Sequence, residues 1–292
     1  MKALTSLLFL LLLPTCAVQA APQAKPDPAM FLPGVVSDDG AFGLTLSPDG
    51  QHALWVKSGG TRARLVIMEA RKVNGAWQAP SVAPFSGVEG ANDIDPMFSP
   101  DGRSLIFQSN RPVPDRPARK GFDIYAVERT AQGWGAVRHL GHEINTDASE
   151  SSAAMAANGS IYFMKEAPGM QSDLWVSELV GGRYGAPRNL GLPVNTKARE
   201  SNPYVAPDES YLIYFSAADL ETRPDLFIAF REKGRWSTPK RLRAPINSND
   251  PDDAEFTPFV HGSTLYLGRQ RRTGERFIEN IYAYPFDARE YR

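Results

Sequence analysis

The 292-residue chain predicts an all-β fold, a five-bladed β-propeller of four-stranded antiparallel blades. Three recurring signals predict it. The first is a tight turn between two apolar runs. It reads Ser47-Pro48-Asp49-Gly50 before the run 53–56, Ser99-Pro100-Asp101-Gly102 before 105–107, and Ala156-Ala157-Asn158-Gly159 before 161–163. Ala206-Pro207-Asp208-Glu209 precedes 211–215, and a shortened Val260-His261-Gly262-Ser263 precedes 265–267. Gly accepts the positive φ of such reversals, and Asp or Asn bonds its own backbone there. The second signal opens a third strand with Asp123-Ile124-Tyr125, Asp173-Leu174-Trp175, Asp225-Leu226-Phe227 and Asn280-Ile281-Tyr282, at intervals of 50, 52 and 55 residues. The third is an aromatic following a glycine, in Gly75-Ala76-Trp77, Gly133-Trp134, Gly182-Arg183-Tyr184 and Gly234-Arg235-Trp236. A repeat of this length with four short strands is a propeller blade.

Taken from its start, the chain opens with a secretory signal peptide over residues 1–20. Lys2 supplies the positive start, 7–13 the apolar run and Val18-Gln19-Ala20 the small-residue cleavage site. Cleavage there predicts an exported, periplasmic protein of 272 residues with 31 basic and 33 acidic side chains. That balance predicts no general attraction to polyanions, so nucleic acid is not an expected partner. Cys16, the only cysteine, falls inside the signal, and Leu13-Pro14-Thr15 before it is a poor match for lipid attachment. The exported chain therefore relies on core burial rather than disulfides. No later run reaches the ~20 apolar residues of a membrane-spanning helix.

Residues 21–29 read as a flexible leader rich in proline and alanine, and 30–292 as a single domain. The fifth repeat stops after its third strand, while the apolar run 30–36 belongs to no blade of its own. That run is expected to supply the missing outer strand and close the ring, which removes an open edge. Blade limits are then 38–89, 90–146, 147–196, 197–247, and 248–292 with 30–37, leaving no residues for a sixth blade. A monomer is expected.

A carboxylate recurs where each innermost strand begins. Ile144-Asn145-Thr146 precedes Glu150, Val194-Asn195-Thr196 precedes Glu200, and Ile246-Asn247-Ser248 precedes Glu255; Asp93 holds the place in the second blade and Ala41 in the first. One reading makes Asp93, Glu150, Glu200 and Glu255 latches that accept loop N–H groups. The other makes them an oxygen-rich Ca²⁺ or Mg²⁺ site, with Asn145, Asn195 and Asn247 as carbonyl donors. Two carboxylates ~8 Å apart repel by about 2 kcal/mol at an effective dielectric of ~20. Their convergence would need a cation, water, or an arginine such as Arg199. The loops joining second and third strands emerge on the same face, which places Arg111, Arg116, Arg271 and Arg272 on its rim. His52, His139, His142 and His261 lack metal-ligand spacing, and no Gly-x-Ser-x-Gly elbow, Walker loop or His-Glu-x-x-His is present. Two carboxylates at the mouth remain compatible with glycoside chemistry.

The Ser-Pro-Asp-Gly turn, the Asp-Ile-Tyr strand, the Gly-Trp strand and the Asn-Thr connection together resemble the TolB-like β-propeller repeat family. The resemblance spans nearly all of the chain after residue 29 but includes nothing like the α/β domain of TolB. It implies a periplasmic protein-binding role near the outer membrane, although similar repeats also occur in peptidases and lyases. The expected function is an interaction module for an envelope protein, a peptide or a cell-wall or surface glycan, bound on the loop-rich face. The alternative is a metal-assisted hydrolase or lyase acting on an anionic carbohydrate at the same mouth.

Overall fold

A computed structural model describes residues 26–116, 120–167, 171–218 and 222–292. Five small antiparallel sheets stand in a ring. The first holds Ala41–Leu46, His52–Lys57 and Val66–Val73; the second Asp93–Phe98, Ser104–Ser109 and Asp123–Thr130. Glu150–Met155, Ile161–Ala167 and Gln171–Ser177 form the third, and Arg199–Val205, Tyr211–Ala217 and Asp225–Glu232 the fourth. The fifth holds Asp253–His261, Thr264–Thr273 and Arg276–Pro285. Innermost strands pack in chain order around the axis, and the fifth returns against the first.

The outer strand of the middle blades is broken in two. In the second blade Gly133–Trp134 and Arg138–His139 both pair with Asp123–Thr130, and in the fourth Arg235–Trp236 and Lys240–Arg241 both pair with Asp225–Glu232. Pro80, Pro187 and Pro239 sit just before the second piece in the first, third and fourth blades. A proline has no N–H for the ladder, and on an outer strand it also discourages edge-to-edge pairing.

Ring closure uses the N-terminal segment, but over fewer residues than the apolar run 30–36 suggested. Ala29 and Met30 pair with Ala283 and Tyr282, and the N–H of Phe31 donates to the Ile281 carbonyl at 2.8 Å. The chain then turns: the N–H groups of Val35 and Val36 both donate to the Leu32 carbonyl, around Gly34 at φ +75°. Val36 is completely buried against the seam of the fifth and first blades. Hydrophobicity in this run therefore serves packing more than pairing. The expected signal peptide at 1–20 and residues 21–25 of the expected leader lie outside the described residues.

The core lies in the seams between blades. Leu54, Ile67, Phe98 and Phe107 fill the first seam, Ile106, Ile124, Ile161 and Phe163 the second, and Leu174, Val205, Leu212 and Tyr214 the third. A larger cluster containing Trp55, Ile213, Phe230, Leu265 and Ile281 joins the fourth, fifth and first blades. Sheets packed face to face around an axis leave no apolar centre, so each strand's alternation is read by two neighbours.

Side chains at repeated positions hold each connection in place. Asn145 accepts from the N–H of Ile124 at 2.7 Å and donates to its carbonyl at 3.1 Å. Asn195 does the same to Leu174, at 2.9 and 2.8 Å, and Asn247 to Leu226, at 2.7 and 2.9 Å. Each side-chain amide thus acts as one more residue of the outer strand. The aspartate that opens each third strand pairs with an outer-strand residue: Asp123 with His139 at 3.0 Å, Asp173 with Asn189 at 2.7 Å and Asp225 with Arg241 at 2.6 Å. Replacing Asn195 by alanine leaves the buried N–H of Leu174 without its partner, while the Leu174 carbonyl keeps the N–H of Leu190 at 3.0 Å. Urea unfolding should register a loss of about 1–3 kcal/mol. A loss below about 0.5 kcal/mol would contradict the latch.

Candidate functional site

The four predicted carboxylates are all buried, with exposure of 1 % or less. Asp93 accepts from Ser86 Oγ at 2.8 Å, the N–H of Gly87 at 3.1 Å and Arg111 at 2.8 Å. Glu150 accepts from the hydroxyl and N–H of Thr146, at 2.5 and 3.0 Å, and Glu200 repeats the pattern with Thr196, at 2.7 and 3.3 Å. Glu255 accepts from the N–H of Ser248 at 3.2 Å and from Arg269 at 2.8 Å. Burial pushes the carboxyls of Glu200 and Glu255 above the usual range, with the Thr196 donors and the Arg269 charge opposing it. Each carboxylate closes its own blade-to-blade connection. Among the described residues, no three acidic, histidine or cysteine side chains gather into a metal-ligating group. The oxygens of Asn145, Asn195 and Asn247 are taken by backbone N–H groups.

The first blade, with Ala41 in the carboxylate position, borrows one. Glu279 of the fifth blade is fully buried and accepts from Ser58 Oγ at 2.5 Å, Gln270 Nε2 at 2.7 Å and Arg62 Nε at 2.8 Å. Beside it Asn280 donates to Asp39 at 2.9 Å. Ring closure thus rests on a charged latch as well as on Ala29–Met30.

Three of the four predicted rim arginines are engaged by the chain itself. Arg111 binds Asp93 and the Phe85 carbonyl, and Arg116 donates to the carbonyls of Asn145 and Thr146, at 3.1 and 3.0 Å. Arg271 is held by Asp250 at 2.5 Å and Asp253 at 2.8 Å. Arg272 differs. Its Nε donates only to the Gly274 carbonyl at 3.1 Å, and its side chain lines a cleft of about 650 Å³ between the fourth, fifth and first blades.

That cleft is walled by Arg62, Arg199, Arg223 and Arg272, with Phe215, Phe256 and Phe277 among them and no acidic residue among the described residues of the lining. The Arg62 guanidinium sits 4.8 Å from the ring of Phe42, 5.5 Å from Phe277 and 5.6 Å from Phe256, in addition to its pairing with Glu279. Arg199 and Arg223 form no ion pair among the described residues, and Arg199 Nε is buried without a hydrogen-bond partner. Sequence reasoning named Arg199 as a screen for the carboxylates. The structure instead places it in the cleft wall, without a carboxylate partner among the described residues.

Below the cleft the axis narrows to a ring of five residues at one repeated bulge. Gly43, Asp95, Ser152, Asn202 and Thr257 all have positive φ, between 45° and 64°, where each innermost strand shifts register. Bulges of this kind re-aim side chains, here onto the axis. Asn202 donates to Ser152 Oγ at 2.8 Å, and Ser152 donates to Asp95 Oδ2 at 2.8 Å. A Cβ on Gly43 would lie 3.0 Å from Asp95 Oδ1, so the glycine makes room for the carboxylate. The space left between these side chains is only about 20 Å³. On the far side opens an apolar cup of about 480 Å³, lined by Phe98, Tyr204, Tyr211, Phe259 and the turn prolines Pro48, Pro100 and Pro207. One mouth is basic and the other apolar.

Asp95 Oδ1 is buried without a partner, and burial raises this carboxyl to about 6, against the bond from Ser152 and the charge of Arg62. Its folded-state affinity for a proton exceeds that of the unfolded chain. The cost is therefore present above pH 6 and relieved as pH falls toward 4. Asp95→Asn should stabilise the protein by about 1–3 kcal/mol at neutral pH, with the gain fading near pH 4. An equal effect at both pH values in urea unfolding would contradict this.

No protein-family model and no curated protein matches the sequence. Similarity appears in three dimensions. A TolB candidate from Agrobacterium tumefaciens superposes with TM-score 0.51 at 13 % identity, over 85 % of this chain and 91 % of that one. A protein of unknown function from Dyadobacter fermentans gives 0.52 at 13 % identity, over 90 % and 99 %. GH43B of a Bacteroides ovatus xyloglucan PUL gives 0.54 at 13 % identity, over 89 % of this chain and 55 % of its own. At such identities the likeness is one of fold, and it agrees with the ring of five blades.

Proposed function

We propose that this protein is an exported, periplasmic binding module that receives its ligand in the arginine-lined cleft on the loop-rich face. The reading keeps the expected partner classes, an envelope protein, a peptide or a glycan. It moves the contact from the carboxylates and the Arg111, Arg116 and Arg271 side chains to Arg62, Arg199, Arg223 and Arg272. The observation that carries it is the pair Arg199 and Arg223, unpaired in a cleft within the ~300–1,000 Å³ range of ligand sites. A guanidinium whose Nε is dehydrated without a partner carries a penalty that a ligand's hydrogen bonds would remove. Under this reading Asp93, Glu150, Glu200 and Glu255 hold the ring, which their engagement by loop donors supports.

A photo-crosslinking residue placed at Thr222, on the cleft wall, should capture a defined partner in cells. The same residue at Val180, 71 % exposed in the third blade, should not. Arg199→Ala should abolish the Thr222 product. Capture that is equal at both positions, absent at Thr222, or indifferent to Arg199→Ala would contradict the reading.

A further inference from the structure

If the cleft is the binding site proposed above, its chemistry narrows the class of ligand it can hold. Four arginines line it, and among the described residues no carboxylate does. Glu279 compensates Arg62, whereas among the described residues no carboxylate pairs with Arg199, Arg223 or Arg272. A ligand with one negative charge could pair with only one of these three guanidinium groups. One with two or more anionic groups would engage them together.

The remaining lining asks for more than an inorganic anion. Gln270 commits its N–H to Glu279 at 2.7 Å and Asn202 commits its N–H to Ser152 at 2.8 Å. Among the described residues neither amide oxygen accepts a hydrogen bond, and a sugar hydroxyl can donate to it whereas a sulfate dianion cannot. Phe215, Phe256 and Phe277 add apolar faces of the kind that the C–H surface of a sugar ring covers. The axial ring beneath, with its space of about 20 Å³, forms a floor that stops an occupant from passing into the apolar cup.

We infer that the cleft binds an acidic oligosaccharide, one bearing several carboxylate or sulfate groups, with Arg199 and Arg223 gripping the anions and the amides of Asn202 and Gln270 receiving hydroxyls. Arg62 is the positioning cation, fixed by Glu279 and the three phenylalanine rings around it.

Isothermal titration of the folded protein with four probes tests this: tetragalacturonate, a sulfated galactotetraose, neutral galactotetraose and tetraglutamate. One of the two acidic sugars should bind with one-to-one stoichiometry, at least about tenfold tighter than the neutral sugar and the peptide. Whichever binds identifies the anion as carboxylate or sulfate. Arg199→Ala and Arg223→Ala should each weaken it about tenfold or more with an unchanged melting temperature. Arg199→Lys should recover part of the loss, because it restores charge without the fork. The inference falls if neither acidic sugar outbinds the neutral one, if tetraglutamate matches them, or if the arginine variants bind like the parent. Capture through Thr222 that persists while both sugars fail would overturn the ligand class and leave the cleft as the binding site. Failure of both would remove the site itself.

Discussion

A side-chain amide standing in for backbone is the contact on which the ring depends. Asn145, Asn195 and Asn247 each occupy both hydrogen-bonding groups of one third-strand residue, 21 positions earlier in the chain. That pins the connecting loop before it turns inward. The buried carboxylate a few residues on then accepts the loop's own donors, and the N–H of Glu150 reaches back to the Phe122 carbonyl at 2.9 Å. With entry fixed at both points, the innermost strands of the third, fourth and fifth blades start in a set register, and the bulge recurs in all five blades. The positions of Ser152, Asn202 and Thr257 in the axial ring follow from loop chemistry some distance away.

Charge is distributed by role. Overall the chain is nearly neutral, with 32 basic and 33 acidic residues. Its recurrent acids are buried and satisfied, and the loop arginines Arg111, Arg116 and Arg271 are engaged by carboxylates or backbone carbonyls of the chain. One cleft differs, where Arg199, Arg223 and Arg272 face no carboxylate among the described residues. A composition that excludes general affinity for polyanions is thus compatible with one local site of strong positive potential. The turn face, with its proline and aromatic lining, has the opposite character.

The repeat was legible because each signal has a local cause. Asp49 and Asp101 bond the N–H two residues on, at 3.0 Å, and so specify the turn without help from the rest of the fold. Ring closure was legible from arithmetic, but its true extent was not, since Leu32, Val35 and Val36 look like strand and serve as a packed turn. The recurring carboxylates were visible, and so were both of their readings; choosing between the two required the Thr146 and Thr196 donors in place. Glu279 could have been sought, because Ala41 breaks the pattern and a missing latch predicts a substitute. Arg62 and Arg223 lie in connections of different blades and Arg199 opens a strand, so no spacing rule brings them together. The bulge at Asp95 left no trace, because positive φ at Asp, Ser, Asn and Thr is imposed by the neighbouring strands.

Adjacent residues at the start of the fourth blade separate the two roles most directly. Equilibrium urea unfolding of Arg199→Ala and Glu200→Gln, at neutral pH and without ligand, compares a charge held for a partner with one held for the ring. The account predicts that Glu200→Gln lowers stability by about 1–3 kcal/mol, because it sets an amide N–H against the Thr196 donors. Arg199→Ala should leave stability unchanged or raise it slightly. A comparable loss from both substitutions would mean that Arg199 belongs to the scaffold, and the cleft would then have no side chain set aside for a ligand.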